Sequence, residues 1–263
     1  MGILMPVLDK PKVFLSHITE ERQLADFIKR QVMKDFLGML DVFVSSDQVS
    51  ISVGSKWLEE IDEALKSAHI ELILCSHESV RRPWVNFEAG AGWVKGIPIV
   101  PVCHTGMRPV DLPIPLNMLQ GIAASDESGW DQVYKLLASK LGSAVPQANF
   151  AELLRDVGVF EHEYGLVREV SGAVRAVIKI LPALEQIFRP DPPNRSAGGD
   201  VTDILLDKMR PHLDTLQAKG MVMYGLGGNK IVVSDTGGGG NVIDFKIQVQ
   251  PSYYAIASKI MIA

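Results

Sequence analysis

IELILCSHESVRRPWVNFEAGAGW (residues 70–93) opens on an apolar run, passes through a charged turn and ends in a helical pattern. The run IELILCS (70–76) reads as a strand covered on both faces, because such strands carry near-continuous apolar side chains. In the helical part Glu88 follows Trp84 by four residues, which puts both side chains on one face of a helix. Its neighbours Val85, Phe87, Ala89 and Ala91 are apolar or small, so the carboxylate is expected to be partly buried. An unpaired carboxylate in such a place costs stability unless it serves something. The plainer alternative is a solvated glutamate near a helix start.

The same alternation continues in both directions. KVFLS (12–16) is a strand, followed by Thr19-Glu20-Glu21 as a cap and acidic first turn. Leu24, Phe27, Ile28 and Val32 then recur at helical spacing. DVFVS (41–45) is a second strand, and a polar loop through Gly54-Ser55 leads to a helix with Trp57, Ile61, Ala64, Leu65 and Ala68 on one face. IPIVPVC (97–103) is another strand, and a short one lies near Gly121-Ile122-Ala123. Trp130, Val133, Tyr134, Leu137 and Leu141 close the region as a helix. Strands alternating with helices imply an α/β fold with a flavodoxin-like, doubly wound, five-stranded parallel sheet. Such a sheet binds ligands beyond the carboxyl ends of its strands where the strand order reverses, here between the first and third strands. Ser16-His17 and Ser76-His77 leave those two strands, so polar side chains stand where a site is expected.

The 263 residues are 47% hydrophobic and 22% charged, an ordinary globular composition. A net charge of −5 gives no electrostatic reason to expect nucleic acid on this fold. Cys75 and Cys103 each sit in an apolar strand, which suggests neither a metal site nor a disulfide framework and suits a reducing cytoplasm. The opening MGILMPVLDK lacks the basic start and long apolar stretch of a signal peptide. Pro6 takes the place where a myristoylation signal wants Ser or Thr. No apolar run approaches the roughly 18 residues of a membrane span. A cytoplasmic protein without membrane attachment is the expectation.

Beyond residue 142 the pattern changes, and the chain divides into a first domain over 1–142 and a smaller α+β region over 150–263. GSAVPQAN (142–149) is a linker by composition. A helix is expected over about 160–188, with Val167, Val170, Val174, Val177, Leu181, Leu184 and Phe188 forming a heptad-like seam. Pro182 should interrupt it near its end. The seam suits packing on its own chain or pairing with a second molecule. RPDPPNRSAGGD (189–200) reads as a loop, and a second helix over 201–219 has Pro211 as a potential break. In NVIDFKIQVQ, Ile243, Phe245, Ile247 and Val249 alternate with polar residues, a half-buried strand that DTGGGGN (235–241) joins to KIVVS (230–234). Neither this glycine run nor GLGGN (225–229) is followed by a phosphate-loop lysine, which favours hairpin chemistry over nucleotide binding.

Three stretches resemble the TIR (Toll/interleukin-1 receptor) domains of bacteria: VFLSHITEE (13–21), VFVSSDQVSISVGSKW (42–57) and LILCSHESVRRPWVNFEAGAGW (72–93). The last is the most specific, carrying the strand, Ser76, Ser79, Trp84 and Glu88 in register. The resemblance covers about residues 10–141. It implies an NAD⁺ glycohydrolase that releases nicotinamide and leaves ADP-ribose or a cyclic isomer, with Glu88 as the catalytic residue. NAD⁺ is then the substrate, and no separate cofactor or metal is implied. Nicotinamide leaves as a neutral group without needing a proton, so the usual pair of carboxylates in glycoside hydrolysis is not required. One carboxylate can stabilise the oxocarbenium-like ribose. Around Glu88, Ser16, His17 and Thr19 are expected to reach the phosphates or ribose, His17 reading either as a general acid or as a neutral hydrogen-bonding residue. Ser76 and Ser79 are expected to orient Glu88 or the ribose, with Asp47, Trp57, Arg82 and Trp84 also around the ligand. Arg81 and Arg82 read equally well as pyrophosphate partners or as a solvated pair. The loop from Gln48 to Ser55 resembles the BB loop that packs on neighbouring TIR subunits. Self-association, through this domain or the C-terminal region, and an activating ligand or protein follow as expectations, as does a role in bacterial anti-phage defence. A TIR scaffold without enzymatic activity is the alternative.

Overall fold

The β-branched and aromatic runs of the first half form the strands of one sheet. The computed structural model describes residues 10–47, 56–233 and 239–262. The chain divides into two compact units, Met1–His162 and Glu163–Ala263.

In the first unit the sheet has the order β2-β1-β3-β4-β5. Its strands are β1 (Lys12–Ile18), β2 (Asp41–Asp47), β3 (Ala68–Cys75), β4 (Ile99–Cys103) and β5 (Ile122–Ala123). Every pairing is parallel, with Ser16 beside Ser45 on β2 and beside Ile73 on β3. The order reverses at β1, so the crevice lies between β1 and β3 as the sequence implied. Four helices connect the strands or follow them: α1 (Arg22–Asp35), α2 (Lys56–Ser67), α3 (Pro83–Lys95) and α4 (Glu127–Leu141). Pro83 opens α3 at a position where its missing N–H is no loss, and Gly96 closes it at φ 69°. The residues of the BB-like loop, Gln48–Ser55, lie outside the described residues, as do 1–9 and 234–238.

β4 contains Pro101. The Cys103 carbonyl accepts from Ala124 N–H at 2.7 Å on the β5 side, and Pro101, two residues earlier, faces that side too. The β4–β5 ladder begins only after it, at Val102–Ile122.

Two expectations about helices change. Thr19-Glu20-Glu21 is a short 3-10 turn, and Thr19 does not cap it; the carboxylate of Glu21 turns inward to the Ile18 N–H at 3.3 Å. The long helix expected from about 160 starts earlier, as α5 (Ala151–Ile180). Phe150, Leu153, Val157 and Phe160 are buried and continue the three- and four-residue steps of the downstream seam. Phe150 meets Tyr134 edge-on at 4.8 Å, Phe160 meets His104 at 5.6 Å, and Arg30 pairs with Asp156 at 2.9 Å.

The second unit has its own core. The seam residues Val170, Val174, Val177, Leu184 and Phe188 pack there against α6 (Asp203–Ala218) and a small sheet, so the seam serves its own chain. Pro182 ends α5 at Ile180 and opens a 3-10 turn over Pro182–Phe188. α6 runs unbroken through Pro211, because Leu206, Met209, Leu213 and Leu216 are buried along one face and tertiary packing overrides the lost hydrogen bond. The sheet is antiparallel in the order β6-β8-β7, made of β6 (Ser196–Thr202), β7 (Val222–Val233) and β8 (Gly239–Val249). β6 corrects the reading of 189–200 as a loop. Only Val201 of β6 is buried, so its strand state comes from pairing with β8 and leaves no alternating signature. The short helices α7 (Pro251–Tyr254) and α8 (Ala257–Ile262) end the chain.

Candidate active site

The parallel register sets Ser16 of β1 and Ser45 of β2 side by side, and α3 lies over both. Glu88 is fully buried there. The Ser16 hydroxyl donates to Glu88 Oε2 at 2.5 Å, and Ser45 Oγ donates to Oε1 at 2.7 Å. Trp84 Nε1 donates to the same Oε1 at 2.8 Å, the helical i, i+4 pair anticipated from the spacing. Three donors on one carboxyl group hold it at a fixed place and orientation. The Trp84 ring stacks on Phe87 with centroids 5.2 Å apart.

Strand alternation separates two residues that the sequence placed together. Ser16 faces α3, whereas His17 points to the other side of β1, where Glu21, Arg22 and Asp26 act on it. Its Nδ1–H donates to the Ser45 carbonyl, leaving Nε2 buried with no partner among the described residues. Burial holds the imidazole pKa below 6.5, so the ring is neutral and its Nε2 is an acceptor. That geometry does not suit a phosphate contact.

Ser76 and Ser79 do not bond Glu88. Ser76 Oγ donates to Glu21 Oε1 at 2.7 Å, and His104 Nε2–H donates to the same oxygen at 3.0 Å. Ser79 Oγ accepts from the Ser76 N–H at 2.7 Å and donates to the Leu74 carbonyl at 3.0 Å. These bonds bind the β3 exit to the turn after β1, a bracing role beside the Glu88 pocket. The Thr105 N–H, next to His104, donates to Glu161 on α5 at 2.8 Å.

Thr19 is exposed on the turn after β1, and His77 is exposed after β3. Arg82 precedes α3 and pairs with Glu20 at 3.2 Å and with Glu78 at 3.8 Å, while its Nε is buried without a partner among the described residues. A phosphate would have to compete with those two carboxylates. Asp47 ends β2 and Trp57 lies in the first turn of α2, but their side chains fall outside the described residues.

Sequence reasoning missed Ser45, Glu21, His104 and Glu71. Ser45 had a signal, since it closes the apolar run of the strand beside β1. Glu21 and His104 had none, because only the fold brings them together. Glu71 interrupts the otherwise apolar run IELILC and is fully buried on β3.

Among the described residues no cluster of His, Cys, Asp and Glu could hold a metal ion, and no helix is long and apolar enough to cross a membrane. No curated protein matches the chain significantly. Residues 13–137 match the family model of the TIR domain. With a five-stranded parallel sheet in the order 2-1-3-4-5 under that match, the N-terminal part of this chain is a TIR domain.

Proposed function

We propose that this TIR domain cleaves the nicotinamide–ribose bond of NAD⁺, with Glu88 stabilising the cationic ribose. The family includes NAD-cleaving enzymes. The observation that carries the reading is the buried carboxylate held by Ser16 of β1, Ser45 of β2 and Trp84 near the carboxyl ends of those two strands. Fixed donors pre-orient the anion, so little reorganisation is needed as positive charge develops on the sugar. A neutral leaving nicotinamide needs no general acid. The products are nicotinamide and ADP-ribose or its cyclic isomer. Assembly of several copies is proposed to gate the activity, in keeping with a defence effector.

The test is nicotinamide release from NAD⁺ by the purified full chain, over a range of protein concentrations. Glu88→Ala should lower the rate by at least about 100-fold, the scale of losing one preorganised electrostatic group. A rate per molecule that rises with concentration supports gating by assembly. Equal release from wild type and mutant would overturn the assignment of Glu88.

A scaffold reading has one observation in its favour. Phe87 and Val94 of α3 are 58% and 88% exposed, beside an apolar groove lined by Ile61, Leu65 and Ala91. Such a surface suits contact between TIR domains. Self-association without nicotinamide release at any concentration would favour it.

A further inference from the structure

A further buried carboxyl group, besides Glu88 and Glu21, lies near the site. Glu71 is on β3, beside Phe14 of β1 and Ile99 of β4, and has no exposure to solvent. Neither carboxyl oxygen has a hydrogen-bond partner among the described residues. Its Oε2 lies 2.0 Å from where a methyl carbon on Gly92 would sit. Gly92 is one helical turn after Glu88 on α3, so only the missing side chain at 92 leaves room for this carboxyl beneath Glu88.

We propose that Glu71 is a positioning residue for Glu88, a carboxylic acid that stays neutral behind it and keeps the site at a single negative charge. The inference rests on Glu88 being the functional carboxylate. An ionised group with no donor in such a place would carry a far heavier desolvation cost than a protonated one. Burial accordingly pushes the Glu71 pKa up to about 9, with the charge of Glu88 adding to the effect. The facing groups agree with that attribution. β1 presents Phe14 and β4 presents Ile99, both apolar; α2 contributes Ile61 and Leu65 to this side of the sheet, with Asp62, Glu63 and Lys66 exposed. Among the described residues Glu88 of α3 is the charge that acts on Glu71.

At neutral pH the pair therefore holds one charge. In alkali a second develops, and repulsion drives Glu88 away from Ser16, Ser45 and Trp84. The arrangement thus sets an alkaline limit on the site that belongs to Glu71, although among the described residues no hydrogen bond joins Glu71 to the three donors.

The test is a ¹³C-carboxyl NMR titration of the full chain, with the Glu71 side chain assigned through its own backbone resonances. In the wild type the carboxyl should titrate near pH 9. In Glu88→Gln the midpoint should fall, so that the proton concentration at half-titration rises several-fold. A midpoint near 4.5, or one that Glu88→Gln leaves unmoved, would overturn the proposal. Neither reading needs substrate, so a protein that failed to cleave NAD⁺ could still confirm or refute the pairing. In an active enzyme, Glu71→Gln should remove the alkaline fall in kcat with little change in KM. Persistence of that fall in folded Glu71→Gln would also count against it.

Discussion

Burial acts on Glu71 and His17 in opposite directions, because it disfavours the charged form of each. The pKa of Glu71 is raised in the folded state, so unfolding above about pH 4.5 releases a proton. Stability is then lost as pH rises from there toward about 9, by at most about 1.4 kcal/mol per pH unit. Urea denaturation across that window should show a shallower slope for Glu71→Gln than for the wild type; parallel slopes would mean that Glu71 is ionised in the fold. The pKa of His17 is lowered, so the unfolded chain binds the extra proton below about 6.5 and stability falls on acidification. His17→Gln should weaken that acid loss, and ¹⁵N spectra of the wild-type ring should show a neutral imidazole carried below pH 6.5. At this scale the sequence was informative wherever a side chain acts along one element. Trp84 and Glu88 meet because they are one helical turn apart. Ser76 was placed at the right strand end but serves Glu21, a partner supplied by another loop 55 residues away in sequence.

α3 does its work through the absence of a side chain as much as through the presence of one. Gly92→Ala would gain up to about 1 kcal/mol of helix propensity, yet its methyl would strike the Glu71 carboxyl. Overpacking of this kind costs about 1–3 kcal/mol, so a net loss of stability is expected. In a Glu71→Ala background the same substitution should become favourable, and a double-mutant cycle measures the difference. Simple additivity would show that the close approach has no energetic weight. The strands of the first sheet were legible because each has its own apolar run. β6 was not, since six of its seven residues are not buried and the neighbouring strand alone makes it regular. The start of α5 was legible in principle. Phe150, Leu153, Val157 and Phe160 extend the seam upstream, but the polar stretch before them drew the boundary elsewhere.

The two units divide between His162 and Glu163, within α5, and not at the polar stretch 142–149. The first twenty residues past 142 therefore belong to the N-terminal fold. Phe150, Leu153, Val157 and Phe160 are each at most 5% exposed, and burying such a side chain is worth about 1.5–3 kcal/mol. A chain ended after residue 142 should melt well below one ended after 162, as differential scanning calorimetry would record. Equal melting temperatures would show that α5 adds nothing to the TIR fold. Composition finds flexible stretches, and the unit boundary here depends on which apolar face finds a partner. One further property of the whole molecule follows from Pro101. A sheet edge with a full row of free N–H groups is a template on which another chain can grow. On its β5 side β4 lacks one of those groups, and β5 itself offers only two residues. Strand-by-strand addition of another chain is therefore disfavoured on that flank.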